Sequence, residues 1–330
     1  MASLIPGPNL GLEGAPHLDF QPAVDLSTGR LLGFEALLRW EAGGQAVPPG
    51  ALIPWAEARG LMTAINAWIL AEACSQAARW PSNLQLAVNC SVFQLRRREA
   101  AAAAAAALEL SGLAPDRLAI EITETALIDD SAVADLQAMS RLGVQLTLDD
   151  VGSDWSVLKN LGDCVVNTMK IDGTLVDELK VSGSPTQTVV QTIVRISRSL
   201  GICTVAEAVE TAVQVAVLRE AGVEVAQGFF FSPPVSAAEA YGLAATVPLP
   251  TYSLTVPGAA REPAGVTVPP PQPVPPAAAV GAPAGTRPPS RDAGRVRELS
   301  DAVAALTQAV ERQSEILVSL VETSRHFVDV

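Results

Sequence analysis

Residues 18–245 read as a closed (β/α)8, TIM-like barrel with one strand antiparallel to the rest, followed by a disordered linker and a C-terminal helix. Three observations predict it. Short apolar runs alternate with longer helical patterns, which implies a parallel sheet covered by helices. Roughly eight such units occupy about 240 residues, the size of a closed barrel. Strand after strand meets a polar residue at or near its C-terminal end, and in a barrel those ends converge on one face.

The elements follow in order. The runs LDFQPAV and LLGFEALLRW are joined by the short turn LSTGR, a hairpin signal, so one of the two runs antiparallel to the others. The second carries two charges in an apolar stretch, Glu35 and Arg39, and pleat alternation places both on the same face. LMTAINAWILAEACSQAARW has a helical pattern, and LQLAVNCS is the next strand. The run Ala100 to Ala107 follows RRRE and is taken as the exposed part of a helix, alanine being the best helix former. Arg96, Arg97 and Arg98 are read as a solvated helix face. LAIEIT, VQLTLDD and VNTMKID follow as strands, then the helical TVVQTIVRISRSLG, then the strands ICTVAEA and VEVAQG.

Near residue 246 the composition changes. Residues 246–293 are rich in Pro, Ala and Gly, bury too little apolar surface to fold, and are expected to form an extended linker. In residues 294–330, Val296, Leu299, Val303, Leu306, Val310, Leu317, Leu320 and Phe327 fall on a and d positions of a heptad, with Gln313 and Ser324 as exceptions. This predicts a coiled-coil-like helix used for self-association, the alternative being an amphipathic helix that docks back on the barrel. Residues 1–17 read as an N-terminal lead.

Composition excludes several classes. A formal net charge of -13 argues against general nucleic-acid binding, which needs clustered Lys and Arg. The four cysteines, Cys74, Cys90, Cys164 and Cys203, are far apart with no CxxC pair, and read as reduced core residues of a cytosolic protein. No stretch reads as a secretory leader or a membrane span, so a cytoplasmic location is expected. With only His17 and His326, near opposite ends of the chain, a Ser-His-Asp triad or a His-rich zinc site is nearly excluded.

The polar strand ends are Asn89, Glu121, Asp149 with Asp150, Lys170 with Asp172, Glu207 and Gln227. Any one carboxylate at a strand end can be an N-cap for the next helix. A ring of them is different, because clustered buried carboxylates repel unless a cation sits between them. Oxygen ligands without thiolate or imidazole suit Mg²⁺ or Mn²⁺. Adjacent Asp149 and Asp150 could serve two ions, Lys170 would be a positive neighbour for water or phosphate, and Glu207 is a candidate base.

In order and spacing, FQPAVDLSTGRLLGFEALLRW, AVNCSVFQL, LAIEITETAL, LTLDDVGSDWSVL, MKIDGTLV, TVAEAVET and AQGFFFSPPV resemble the successive motifs of the EAL-domain family of cyclic di-GMP phosphodiesterases. The resemblance covers about residues 18 to 237. It implies that Glu35, Asn89, Glu121 and Asp149 bind one metal and Asp150 a second. It further implies that Arg39 meets a substrate phosphate, Gln21 contacts the ligand, and Gln227 helps hold the site. Lys170 would contact the nucleophilic water, and Glu207 would act on that water as general base or through the metal shell. Glu124 would anchor the loop after Asp150, which in the family couples the site to a dimer interface.

Several positions depart from the family pattern. DDFGTGYSSL is DDVGSDWSVL here, with Val151, Ser153 and Asp154 in place of Phe, Thr and Gly. EGVE is EAVE, with Ala208 for Gly, and Asn167 stands where an Asp precedes the lysine. The metal ligands are intact, so these changes bear on rate, regulation and dimer coupling.

The expected function is metal-dependent hydrolysis of cyclic di-GMP to linear pGpG, lowering a bacterial second messenger. The alternative is a non-catalytic receptor that signals through the C-terminal helix, but such receptors commonly lose a carboxylate and none is missing here. With no GGDEF motif and no receiver-type segment before the barrel, regulation is expected through the linker and helix, through homodimerisation, or through a separate partner.

Overall fold

A computed structural model describes residues 14–81, 83–151, 166–180, 184–246, 251–252 and 254. The chain opens with strand β1 (Ala15–Asp25) and turns directly into β2 (Leu31–Ala42), extended by a short β3 (Gln45–Val47). Helices α1 (Pro49–Glu57) and α2 (Met62–Ala78) lead to β4 (Gln85–Asn89). Then come α3 (Val92–Arg96), α4 (Ala100–Ser111), β5 (Leu118–Thr123), α5 (Asp130–Arg141) and β6 (Gln145–Val151). The last third holds β7 (Thr168–Ile171), α6 (Gly173–Asp177), α7 (Pro185–Leu200), β8 (Cys203–Ala206), α8 (Ala212–Ala221), β9 (Val225–Gln227), β10 (Val235–Ser236) and α9 (Ala237–Ala245).

Strands β2, β4, β5, β6, β7, β8 and β9 are parallel neighbours, and β1 closes the barrel by pairing antiparallel with both β2 and β9. The hairpin between β1 and β2 makes β1 the one reversed stave, as the short turn requires. Along β1 the even residues Leu18, Phe20 and Val24 are buried against the helix side. The odd residues His17, Asp19, Gln21 and Ala23 are half-buried and line the other face.

The eight barrel strands fall where the apolar runs predict them, and β5 coincides with LAIEIT at both ends. β3 and β10 are additional strands of three and two residues at the barrel's rim.

The alanine run differs from expectation. Ala100, Ala104, Ala107 and Leu108 of α4 are buried and face α2 and α5, so one side of the run is core rather than surface. Methyl side chains let the helix backbones approach closely, a packing that no hydrophobic periodicity announces. Arg96 and Arg97 are exposed, as expected of a solvated face.

Beyond α9 the chain still touches the barrel within the stretch read as linker. Tyr252 donates its backbone N–H to Gly29 O at 2.8 Å, and its ring packs edge-on to Phe231 with centroids 6.3 Å apart. The rest of the linker and the heptad helix, 255–330, lie outside the described residues, as do Cys164 and residues 152–154 of the altered loop. Among the described residues Cys74, Cys90 and Cys203 are free thiols. Burial pushes Cys74 and Cys90 up to about 12, far from reactive thiolate. No helix among the described residues is long and apolar enough to cross a membrane.

Candidate active site

The C-terminal strand ends carry a connected polar cluster around one lysine. Lys170, from β7, is 2% exposed, and its ammonium lies 2.9 Å from Glu121 Oε2, 3.2 Å from Glu35 Oε2, 2.5 Å from Glu207 Oε1 and 3.6 Å from Asp149 Oδ1. Two amides complete the cluster. Gln227 Nε2 donates to Glu35 at 2.6 Å and to Glu207 at 3.1 Å, and Asn89 Nδ2 donates to Glu35 at 2.7 Å. Side chains separated by up to 192 residues in sequence thus meet because parallel strands deliver their C-terminal ends to one place.

Charge in this cluster is unbalanced, and the protonation pattern follows. Burial pushes the Glu121 carboxyl well above the carboxylate range, and Glu35 and Asp149 add to the rise against the pull of Lys170. Burial also works to raise Glu35, but Lys170 and the amides of Gln227 and Asn89 hold it below its ordinary value. Glu207 is pushed up to about 7, chiefly by burial, with Lys170 opposing and Asp149 adding to the rise. Burial acts to discharge Lys170, yet the carboxylates of Glu121, Glu35, Glu207 and Asp149 outweigh it and keep the ammonium charged.

Asp149 and Asp150 stand side by side because β6 is irregular there. In the pairing of β6 with β7, three steps from Leu148 to Val151 match two from Met169 to Ile171, which is a bulge. Asp150 takes up the extra residue in the left-handed region, φ 57°. A regular pleat would send successive side chains to opposite faces; the bulge brings both carboxylates to the mouth of the barrel. Carboxylate oxygens of Asp149, Asp150 and Glu207 all lie within 4.8 Å of one another.

A divalent cation fits these residues. Asp149 Oδ1 is buried and accepts no hydrogen bond, its Lys170 ion-pair partner standing off at 3.6 Å, so it has a lone pair free for a cation. The donor set is entirely oxygen, as a hard cation prefers.

Other predicted residues fall differently. Gln21 lies opposite Glu35 in the antiparallel register of β1 and β2. Arg39 stands above the ring on the same strand, where its Nε donates to Asp19 Oδ2 at 2.9 Å. It borders a groove of about 630 Å³ lined also by Asn89, Ser91, Phe93 and Arg96. Glu124 is buried in the 3-10 turn after β5, while the loop it was expected to anchor lies outside the described residues. Asp172 does not join the ring. Its carboxylate accepts from Thr174 N at 2.7 Å and caps α6, the ordinary role of an acid at a strand end. Asn167 sits at the opposite end of β7, where its Oδ1 accepts from Leu146 N at 2.8 Å and ties β6 to β7.

Sequence reading missed Asp19. Its signal was the alternation of β1, which puts it on the face of Gln21, but its pairing with Arg39 depends on the hairpin register.

Comparison with known proteins agrees with this architecture. The EAL domain profile matches residues 13–234. The chain is 36% identical over 235 residues to the Sinorhizobium fredii protein y4lL, covering 70% of this chain and 28% of that one. It is 35% identical over 227 residues to the bifunctional diguanylate cyclase/cyclic di-GMP phosphodiesterase MucR of Pseudomonas aeruginosa, covering 67% and 33%. Among solved structures, a c-di-GMP complex of the PaMucR phosphodiesterase superposes with a TM-score of 0.65 at 35% identity, over 68% of this chain and 93% of that one. The chain therefore spans about a third or less of the length of these curated relatives. With the matched profile running from β1 to the end of the barrel, this chain belongs to the EAL domain family.

Proposed function

We propose that this chain hydrolyses cyclic di-GMP to linear pGpG. The observation that carries the reading is the complete acidic cluster around Lys170, with Asp149, Asp150 and Glu207 gathered at the barrel mouth. A receptor has no need of this full set of carboxylates.

In this reading Glu35, Asn89, Glu121 and Asp149 would hold one Mg²⁺ or Mn²⁺ and Asp150 a second, with Glu207 beside them. Such ions lower the pKa of water and neutralise charge building on a phosphoryl group. The protein's own groups do the rest. Lys170 presents its ammonium to the attacking water and to the charge developing on the phosphoryl oxygens. Glu207, whose carboxylate lies within 4.8 Å of those of Asp149 and Asp150, takes the proton from that water. Water attacks phosphorus in line, a P–O bond forms, and the bond to the 3′ oxygen breaks with its electron pair on that oxygen, which takes a proton from solvent water to leave a 3′-hydroxyl and a 5′-phosphate. Arg39 meets a phosphate of the substrate, Gln21 touches the ligand, and Gln227 fixes Glu35 and Glu207 relative to each other.

The reading extends to a homodimer formed through the barrel and acting in the cytoplasm. Glu124 would couple that interface to the Asp149–Asp150 loop, and the linker of 246–293 and the helix of 294–330 would provide further self-association.

The test is single-turnover hydrolysis with Mn²⁺, comparing the wild type with Glu207→Ala. Linear product from the wild type and none from the variant is the expected result. Tight binding without product in the wild type overturns the enzyme in favour of a receptor.

A further inference from the structure

We propose that Asp19 sets the affinity of this site: it shares Arg39 with the substrate phosphate and holds cyclic di-GMP binding weaker than the arginine alone would give. The proposal rests on the phosphodiesterase reading and concerns a residue outside the metal-binding ring.

Asp19 faces the mouth of the barrel because it belongs to the half-buried odd set of β1, together with His17 and Gln21. In the register with β2 it lies opposite Leu37 and diagonal to Arg39, a separation that long side chains bridge. Its Oδ2 receives the Arg39 Nε–H at 2.9 Å, and Arg39 Nη1 donates to Leu38 O at 3.2 Å. A guanidinium has five N–H donors in a rigid fork. Two of its nitrogens are thus tied to the protein, and a ligand phosphate is met by the remaining donors of the same fork.

The charge balance of the groove makes this pairing consequential. Its two lining arginines are Arg39 and Arg96, and each is joined to a carboxylate, Asp19 at 2.9 Å and Asp129 at 3.0 Å. Glu57 also lines the groove, and the chain as a whole carries -13. A cyclic dinucleotide brings one negative charge on each phosphodiester. It therefore reaches an arginine whose charge is already offset by a carboxylate a few ångströms away, and repulsion from Asp19 subtracts from every phosphate contact that Arg39 makes. Arg39 and Asp19 retain 31% and 25% side-chain exposure, so solvent screens this repulsion without abolishing it.

Asp19→Asn separates charge from geometry. The amide oxygen still accepts from Arg39 Nε, so the guanidinium keeps its direction while the negative charge is gone. Binding is read by calorimetric titration of the full chain with cyclic di-GMP in the presence of Ca²⁺, and turnover by steady-state assay with Mn²⁺. The expected result is a Kd and KM lowered about fivefold, kcat changed by less than about twofold, and a steeper loss of affinity with added salt, because one more uncompensated cation meets the phosphate. Asp19→Ser, which also removes the charge, is expected to tighten binding in the same direction.

An Asp19→Asn protein that binds no more tightly than the wild type, or more weakly, overturns the role of Asp19 while leaving the phosphodiesterase reading intact. A wild-type protein that binds no cyclic di-GMP overturns both.

Discussion

The Lys170 ammonium lies 2.9 Å from Glu121 Oε2 in the centre of the barrel, with the two side chains 2% and 3% exposed. Burying an ion pair costs desolvation on both sides, and the surplus of carboxylates around this one makes the lysine indispensable as countercharge. Lys170→Met is expected to destabilise the metal-free protein by about 3–5 kcal/mol at neutral pH, the range for breaking a buried pair. The deficit shrinks as pH falls and the carboxylates take up protons. Thermal unfolding at several pH values checks it; a variant as stable as the wild type at pH 7 would show that the ring carries little charge.

Glu207 gives the metal-free protein a distinct pH dependence. Its carboxyl is pushed up from 4.5 to about 7, so between those values the folded chain holds a proton that the unfolded chain has released. The resulting stabilisation is fully present below about pH 4.5 and is lost as pH rises through about 7, on the order of 3 kcal/mol in all. Unfolding in EDTA is expected to show this decline, and Glu207→Gln to flatten it. Because divalent ions bind the deprotonated carboxylates, stabilisation by Mn²⁺ should grow over the same interval. An equal decline in both proteins would assign it to other groups.

The same cluster shows what was legible in the sequence. The eight barrel strands announce themselves as apolar runs ended by polar residues, and Asn89, Glu121, Lys170, Glu207 and Gln227 could be assembled from that pattern because a barrel has only one C-terminal face, whereas Glu35, in the middle of β2, entered only through the family resemblance. β3 and β10, at three and two residues, are too short to carry a period. The bulge that turns Asp150 beside Asp149 leaves no mark in the sequence, since two adjacent aspartates read alike in any backbone conformation. The Asp19–Arg39 pair needed the hairpin register, which a turn sequence fixes only once its type is known. Asp172 looked like a ring member because an N-cap and a metal ligand are the same residue type in the same place.

Ala208 is held at φ 50°, in the left-handed region where a Cβ is crowded by its own backbone. The position follows Glu207 directly, so the strain lies beside a candidate base. Ala208→Gly removes the penalty, although it also frees the unfolded chain, and the net gain is expected to be about 1 kcal/mol. That corresponds to a melting temperature higher by about 2–4 °C for a domain of this size. Thermal unfolding of the two proteins decides it, and an unchanged or lower melting temperature would mean that the native contacts of the Ala208 methyl offset the strain.

Gly228 follows Gln227 at φ 151°, and a Cβ there would lie 2.2 Å from both Val209 N and Val209 O. No side chain is in the way; the obstacle is backbone, which cannot rotate aside. Two hydrogen bonds depend on this approach, Val209 N–H to Gln227 O at 3.1 Å and Phe230 N–H to Val209 O at 2.9 Å. They lock the segment after β8 to the segment after β9, and so hold Glu207 3.1 Å from the Gln227 amide that also reaches Glu35. Gly228→Ala must push the segments apart, and a displacement near 1 Å at a reacting centre costs about 100-fold in rate. The expected outcome is kcat reduced about 100-fold, with a stability loss of about 1–3 kcal/mol that leaves the barrel folded at 25 °C. A far-ultraviolet circular dichroism spectrum matching the wild type together with a turnover assay separates the two effects. Turnover within about threefold of the wild type would mean that Glu207 and Gln227 are positioned by their own strands and not by this backbone clasp.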